Sequence, residues 1–465
     1  MTQESYRAIF TVIETIQSRV VLLLIEAKGA GMKIVRNSRL AKALMLGLPA
    51  VLASAMLAPA AHAATEITFQ TWNSQDSQDK WNAMTKAFMA ANPDITVKVN
   101  FVPGGVEGDA LVKSQLASGT MADVFSYNVG ALMQAIDPVK NLVNLKNEPW
   151  VSSVNSGFIP SATGADGGFY AAPFGTAMGG GILYNKRIYS KLGLQIPLTW
   201  KDFMANNAKI KKAGITPVIS SWKDSWTAQL FVLGDHFNVA AAMPGFEDKF
   251  TGNKIVLAKN AATLAGFQHL EEVRKAGYYN KDVASTTFAK ALEYLALGKG
   301  AHYPMLSAGI DTIVANFPTK ASDIGFMAQP GTNAKSNGVT VWMPAGVYIA
   351  KTAKNLDAAK KFVAWTVSKE SFVVQNKVVP PSGPYFIKGA PVSGNLTAVF
   401  TDLYNYMQGK GTSYPALEFL TPVKGPNLSQ ICVEIGSGQK NALQGAQSYQ
   451  KDLEKQSQQL GLAGW

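Results

Sequence analysis

EITFQTWNSQDSQDKWNAMTKAFMAANPDITVKVNFV, residues 66–102, carries the pattern from which the architecture follows. Ile67 and Phe69 alternate with polar neighbours, the period of a strand. Trp81, Met84 and Phe88 then recur at helical spacing, and Asn92-Pro93 ends that helix, because proline has no N–H to donate and disfavours helical backbone before it. Ile95, Val97, Val99 and Phe101 alternate again over Thr96, Lys98 and Asn100. This strand–helix–strand unit is extended by a helix around 110–117, a break at Ser118-Gly119 and a buried strand over 123–127. Strands alternating with helices predict a largely parallel sheet in each lobe of an α/β protein. Ligands bind beyond the carboxyl ends of such strands, which places Trp72, Asn73, Tyr127 and Asn128 beside a cleft.

Outward from this unit, residues 186–301 read as more helical, with 259–276 and 284–297 the clearest segments. Strand signals return at 339–349, followed by helices over 356–368 and 445–460. A chain of 465 residues exceeds one ordinary core and suits two lobes. No short repeat or low-complexity linker separates them. Short strands crossing between the lobes are therefore expected, with each lobe discontinuous in sequence.

Hydrophobic residues form 47% of the chain and charged residues 16%, enough to bury a large interior and too apolar for a disordered tail. Cys432 is the single cysteine, which excludes an internal disulfide and a cysteine-built zinc site. The net charge of +12 is spread over scattered lysines without a basic arm, so no nucleic-acid partner is expected. His62, His236, His269 and His302 are far apart and form no H-E-x-x-H pattern, and no G-x-S-x-G elbow occurs. Gly179-Gly180-Gly181 and Gly298-Lys299-Gly300 lack phosphate-loop spacing and read as turns or close backbone approaches. Neither catalysis nor a metal or cofactor is called for.

Residues 32–63 have the composition of a Sec signal peptide. Lys33, Arg36, Arg39 and Lys42 form a positive region, residues 43–58 an uncharged apolar run, and Ala61 and Ala63 an A-x-A cleavage site. Residues 1–31 are either an upstream start that is not translated or an extended positive region. Cleavage after Ala63 would remove seven basic and three acidic residues and lower the charge from +12 to +8. No cysteine follows the apolar run to carry a lipid, so a soluble periplasmic monomer without a stable membrane anchor is expected.

Five segments together resemble the extracellular solute-binding protein family 1, the carbohydrate-binding components of ABC importers. They are LASGTMADVFSYNVGAL (116–132), GGFYAAPFGTAMGGGILYNKRIYSKLGLQIPLTWKDF (167–203), ALEYLALGKGAHYPM (291–305), IGFMAQPG (324–331) and AGVYIAKTAKNLDAAKKFVAWTVSKE (345–370). Their order and spacing carry the resemblance, and Ala122 departs from a proline usual in the family. The resemblance implies a two-lobed periplasmic binding protein fold with hinge strands and a central ligand cleft. It divides the chain into a first lobe of 64–173 with 328–372 and a second of 174–327 with 373–465. It also implies capture of a sugar, oligosaccharide or polyol by lobe closure, and delivery to membrane permease subunits.

Sugar rings pack their C–H faces on aromatic planes and pair their hydroxyls with polar groups. Trp72, Trp226 and Trp342 are the candidate aromatic walls. Tyr127 and Asn128 are candidate polar contacts, and Thr176 and Ser307, in segments matching the family, are candidate hydroxyl partners. Ser382 is a weaker candidate. Asp123 reads as structural, while Trp81, Trp200 and Trp365 read as core. A phosphorylated or anionic solute, such as a glycerol phosphate, is the alternative ligand, set against having only Arg187 and Arg274 beyond residue 63. A secreted polysaccharide-active enzyme is the alternative from another class, and would need a carboxylate pair facing the same cleft.

Overall fold

The opening alternation folds as β1 (Thr65–Trp72), α1 (Gln75–Ala91), β2 (Ile95–Val102), α2 (Gly105–Ser118) and β3 (Val124–Tyr127). The computed structural model describes residues 64–409 and 412–465. The expected signal peptide, its cleavage after Ala63 and the 1–31 extension lie outside the described residues. Beyond β3 the chain forms β4 (Ala172–Phe174), β5 (Met178–Asn185), β6 (Thr216–Val218), α3 (Ala261–Lys275), β7 (Gly300–Leu306) and α4 (Gly309–Asn316). There follow β8 (Ile324–Ala328), β9 (Val339–Trp342), β10 (Ala345–Ile349), β11 (Ser413–Pro415), α5 (Leu428–Ser437) and α6 (Ala442–Gln459).

Two sheets result, ordered β2-β1-β3-β10-β4 and β11-β9-β5-β7-β6, with β8 also paired to β5. Each is flanked by helices, so the architecture is α/β with two lobes. The expectation of a largely parallel sheet in each lobe needs correction. β1, β2 and β3 are parallel, but β10 runs antiparallel to both β3 and β4. In the second sheet β5 is antiparallel to β7, β8 and β9. The reversed strands are those that arrive from the other lobe: β5 follows the crossing at 175–177, and β10 follows the return at Met343-Pro344. The strand signals over 339–349 are thus two strands in different sheets, broken where Pro344 offers no N–H to a ladder. Because β8 and β9 still pair with β5, the strand path re-enters the first sheet at Ala345, later than the return at 328 drawn from the resemblance. A third connecting segment bridges Thr176 at Tyr385 and Val154 at Ile387.

Packing explains why these elements hold. Trp81 on α1 is fully buried, with ring centroids 4.3 Å from Phe69 and 4.1 Å from Phe174. Its truncation to alanine would cost about 3–5 kcal/mol as transfer and cavity terms combine. In the second lobe Trp200 stacks on His269 at 3.6 Å. α3 starts where the Asn260 side chain accepts the amides of Ala262 and Thr263, and α6 starts with a capping box between Asn441 and Gln444. Each such cap contributes about 1 kcal/mol. Among the described residues no helix is long and apolar enough to cross a membrane.

Candidate functional site

The parallel register of β1 with β2 ends at Trp72 opposite Val102, so the loops that follow both strands leave the sheet at the same edge. The Asn73 amide donates to the Val102 carbonyl at 2.8 Å, tying those loops together. β2 then runs into Pro103-Gly104-Gly105. A Cβ on Gly104 would lie 3.5 Å from Cδ1 of Trp72, so the half-buried indole rests beside bare backbone. Gly105 has φ +65°, the left-handed region that favours glycine. From the second lobe Trp226 packs on it: a Cβ there would come within 2.8 Å of the Trp226 ring. Trp226 is also 5.3 Å from Phe288, ring to ring. Two of the three expected aromatic walls therefore flank one glycine pair.

Tyr127 ends β3. Its ring is buried, and its hydroxyl, which has no hydrogen-bond partner at normal geometry, lies beside the carboxyl of Asp109 on α2. Burial raises the Asp109 carboxyl above its ordinary range. The charges of Lys113 and Lys424 and the Tyr127 hydroxyl pull it back, and the charge of Glu418 adds to the rise. Burial, then the Asp109 charge, likewise pushes the Tyr127 phenol up. The side-chain hydroxyls of Thr71 and Ser126, one residue before the ends of β1 and β3, are buried without partners too. Unpaired hydroxyls are costly in a dry interior, and those of Thr71 and Ser126, beside the Tyr127–Asp109 pair, suit a polar guest.

Opposite this edge stands Trp342, at the end of β9. Its exposure is only 7%, and its ring lies over Gly180 of β5. Its Nε1–H donates to the Glu418 carboxylate, which also pairs with Lys424. The turn bearing Glu418 meets the first lobe at Gly130, whose φ is +69°. A Cβ there would stand 2.5 Å from the Glu418 carbonyl oxygen. A third contact between the lobes is the Lys80–Asp311 ion pair at 2.8 Å, joining α1 to α4. Asp109 from one lobe and Glu418 with Lys424 from the other thus lie within electrostatic range of each other.

The other expected residues have different surroundings. Thr176 and Ser382 are buried, and their hydroxyls meet at 3.1 Å beside the crossing between the sheets. Ser307 is fully buried; its Oγ accepts the Gly179 amide at 2.9 Å while its own amide donates to the Gly179 carbonyl at 2.7 Å. Asn128 offers its carbonyl to the Tyr348 hydroxyl at 2.8 Å and keeps a half-buried side chain. Asp123 accepts the Thr68 amide and hydroxyl and the Lys354 amide at 2.7–2.8 Å. Burial works to raise its carboxyl, but those hydrogen bonds outweigh it and hold the group below the usual range.

Asp109, Glu418 and Lys424 escaped sequence reading. Asp109 sits four residues past the Gly104-Gly105 pair, a signal that an acid on the first turns of a cleft-facing helix could have given. Glu418 and Lys424 belong to a turn without periodicity or motif. Among the described residues no group of three potential metal ligands gathers.

Known proteins resemble this arrangement. The bacterial extracellular solute-binding protein profile matches residues 71–371. A multiple sugar-binding protein of Streptococcus mutans is 24% identical over 79% of this chain and 88% of its own length. The sn-glycerol-3-phosphate-binding periplasmic protein UgpB of Shigella flexneri is 26% identical over 77% of this chain and 91% of its own. Among solved structures, a chitin oligosaccharide binding protein superposes with a TM-score of 0.74 at 19% identity, covering 85% of this chain and 99% of that one. The binding protein RafE in complex with raffinose gives 0.68 at 20% identity, covering 84% and 100%.

Proposed function

From the premise that this chain belongs to the bacterial extracellular solute-binding protein family, we propose that it is the receptor subunit of an ABC importer for a sugar, oligosaccharide or polyol. It would work in the periplasm, close its lobes on the ligand, and present it unaltered to the permease subunits. One observation carries the reading: tryptophans and carboxylates from both lobes converge on one seam. Trp72 and Trp226 offer ring faces, Tyr127 a buried hydroxyl beside Asp109, and Asp109 and Glu418 acceptors for ligand hydroxyls. Trp342 and Asn128 complete the proposed contact set, while Thr176, paired with Ser382, and Ser307, which accepts the Gly179 amide, would stiffen the junction. Ligand capture by lobe closure is a population shift toward the state in which both halves of the site touch the guest.

The anionic alternative gains from the glycerol-phosphate-binding relative but loses on charge placement. Arg187 pairs with Asp323 at 3.5 Å and is largely exposed. Arg274 lines a different cavity, and Lys424 is held by Glu418. A phosphate would therefore meet two carboxylates and no arginine fork, an arrangement that repels it. The enzyme alternative gains from Asp109 and Glu418 facing one seam. Glu418, however, is already engaged by an ammonium and an indole N–H, which suits fixed acceptance more than proton transfer.

A thermal-shift screen of the mature protein against neutral sugars, polyols and phosphosugars tests the proposal, because a ligand of the native state stabilises it by RT ln(1 + [L]/Kd) and so raises the melting temperature. Neutral saccharides should shift it and phosphosugars should not. Recovery of cleaved products after incubation with mixed oligosaccharides would overturn the receptor reading.

A further inference from the structure

Away from the seam, a cavity of about 500 Å³ opens in the second lobe between the carboxyl-terminal ends of α3 and α5. Trp222, Tyr279, Val283 and Val433 give it apolar walls, Gly436 makes room for the indole, and Arg274 brings a guanidinium to its lining. Two features are unexplained by packing. The Arg274 guanidinium has no ion pair among the described residues, and its Nε has no hydrogen-bond partner; Trp222, 8% exposed, has an unpaired Nε1–H. The neighbouring carboxylate, Glu271, is already taken by Lys275 at 2.6 Å and by the Ala442 amide at 2.9 Å. No carboxylate side chain lines the cavity among the described residues.

We infer that this cavity is a second binding site, separate from the seam, for a small carboxylate with an apolar body. A planar guanidinium matches a carboxylate in two parallel hydrogen bonds, and an aromatic and aliphatic wall rewards an apolar ligand body rather than a bare inorganic anion. The volume falls in the range of small-molecule pockets. The negative ends of α3 and α5 also point toward this region, and Arg274 lies over Gly438 just past α5, where a Cβ would stand 3.1 Å from its Nη1. The guanidinium therefore offsets both helix ends as well as the ligand, which sets the affinity in a weak range.

Phenylacetate is the probe, with 2-phenylethanol as the uncharged isostere and acetate as the charge without the body. The readout is the indole N–H resonance of Trp222, assigned by its loss in Trp222→Phe. Phenylacetate should move it saturably, with 2-phenylethanol and acetate each at least about tenfold weaker, and Arg274→Gln should lose at least about tenfold in affinity. Ala284→Trp, at the exposed rim, should block the cavity without touching Arg274, so the test survives if the arginine variant fails to fold. Equal binding of 2-phenylethanol, unchanged affinity in either variant, or no saturable shift at tens of millimolar phenylacetate would overturn the inference. Saccharide binding at the seam is read separately, so the two proposals stand or fall apart.

Discussion

Replacing Gly130 with alanine tests whether the turn bearing Glu418 sets the ligand site. The substitution does two separable things. It places a side chain on a residue at φ +69° and ψ −138°, backbone that only glycine enters without strain, at a cost of about 1–3 kcal/mol. It also puts a Cβ 2.5 Å from the Glu418 carbonyl oxygen and 2.7 Å from the Phe419 ring. Ordinary contact begins at 3.4 Å, so the turn must retreat by about 0.9 Å. Backbone cannot rotate out of the way as a long side chain can, and Gly130 is itself held by its N–H, which donates to the Ser161 carbonyl at 2.7 Å. The Glu418 carboxylate and its Lys424 and Trp342 partners move with the turn. Loss of one charge-assisted hydrogen bond to ligand is worth about 1.5 kcal/mol, close to tenfold in affinity. Glu418→Gln separates the two effects, because it weakens the acceptor and leaves the Gly130 backbone unstrained. Calorimetric titration with a ligand identified by screening should show both variants weakened about tenfold, with alanine alone losing several degrees of melting temperature. A wild-type dissociation constant in both would refute the role of this turn.

Other outcomes follow from the same geometry. Trp72→Ala should weaken saccharide binding about tenfold with little change in unliganded stability, and an unchanged calorimetric constant removes Trp72 from the site. Glu418→Gln should weaken binding and leave Lys424 unpaired, whereas Lys424→Met should cost less affinity because a ligand hydroxyl can replace the lost donor; equal affinities across both variants and wild type would exclude the pair. His236, His269 and His302 are buried, and burial lowers them to about 4, 3 and 3 from 6.5. The folded state thus holds fewer protons on them than the unfolded state below about pH 6.5, so stability should be lost as pH falls from there toward 4. Asp235, raised by burial to about 7, works in the opposite direction, since its folded form holds a proton that the unfolded form releases above about 4. Melting temperatures in Asp235→Asn isolate the histidine effect, and a flat profile from pH 7 to 4 in that variant would contradict it.

The fold was legible where side chains alternate on one face. β1, α1 and β2 follow from Ile67, Phe69, Trp81, Phe88 and the Ile95–Phe101 alternation, because each apolar position there meets a single core. The direction of β5 and β10 was not, since strand polarity depends on which lobe the chain has just left, and residue type does not record that. Pro344 marked the break between β9 and β10, yet the apolar runs on both sides masked it. At the seam, Trp72 and Trp226 were readable as large aromatics near strand and helix ends. Glu418 and Lys424 were not, because the irregular turn that carries them acquires meaning only when it meets Gly130 in a distant part of the chain. Ser307 shows the converse: its family position was visible, but its commitment to the Gly179 backbone belongs to tertiary contact alone.

β10 lies between β3 and β4 in the first sheet, although it is made from residues 345–349. Until that segment leaves the ribosome, β3 and β4 have no strand between them and their polar edges stay open to water. Assembly that waits on so remote a pairing is slow. For an exported protein this order of synthesis leaves the first sheet incomplete until residues 345–349 are made, because only then can β10 pair with β3 and β4.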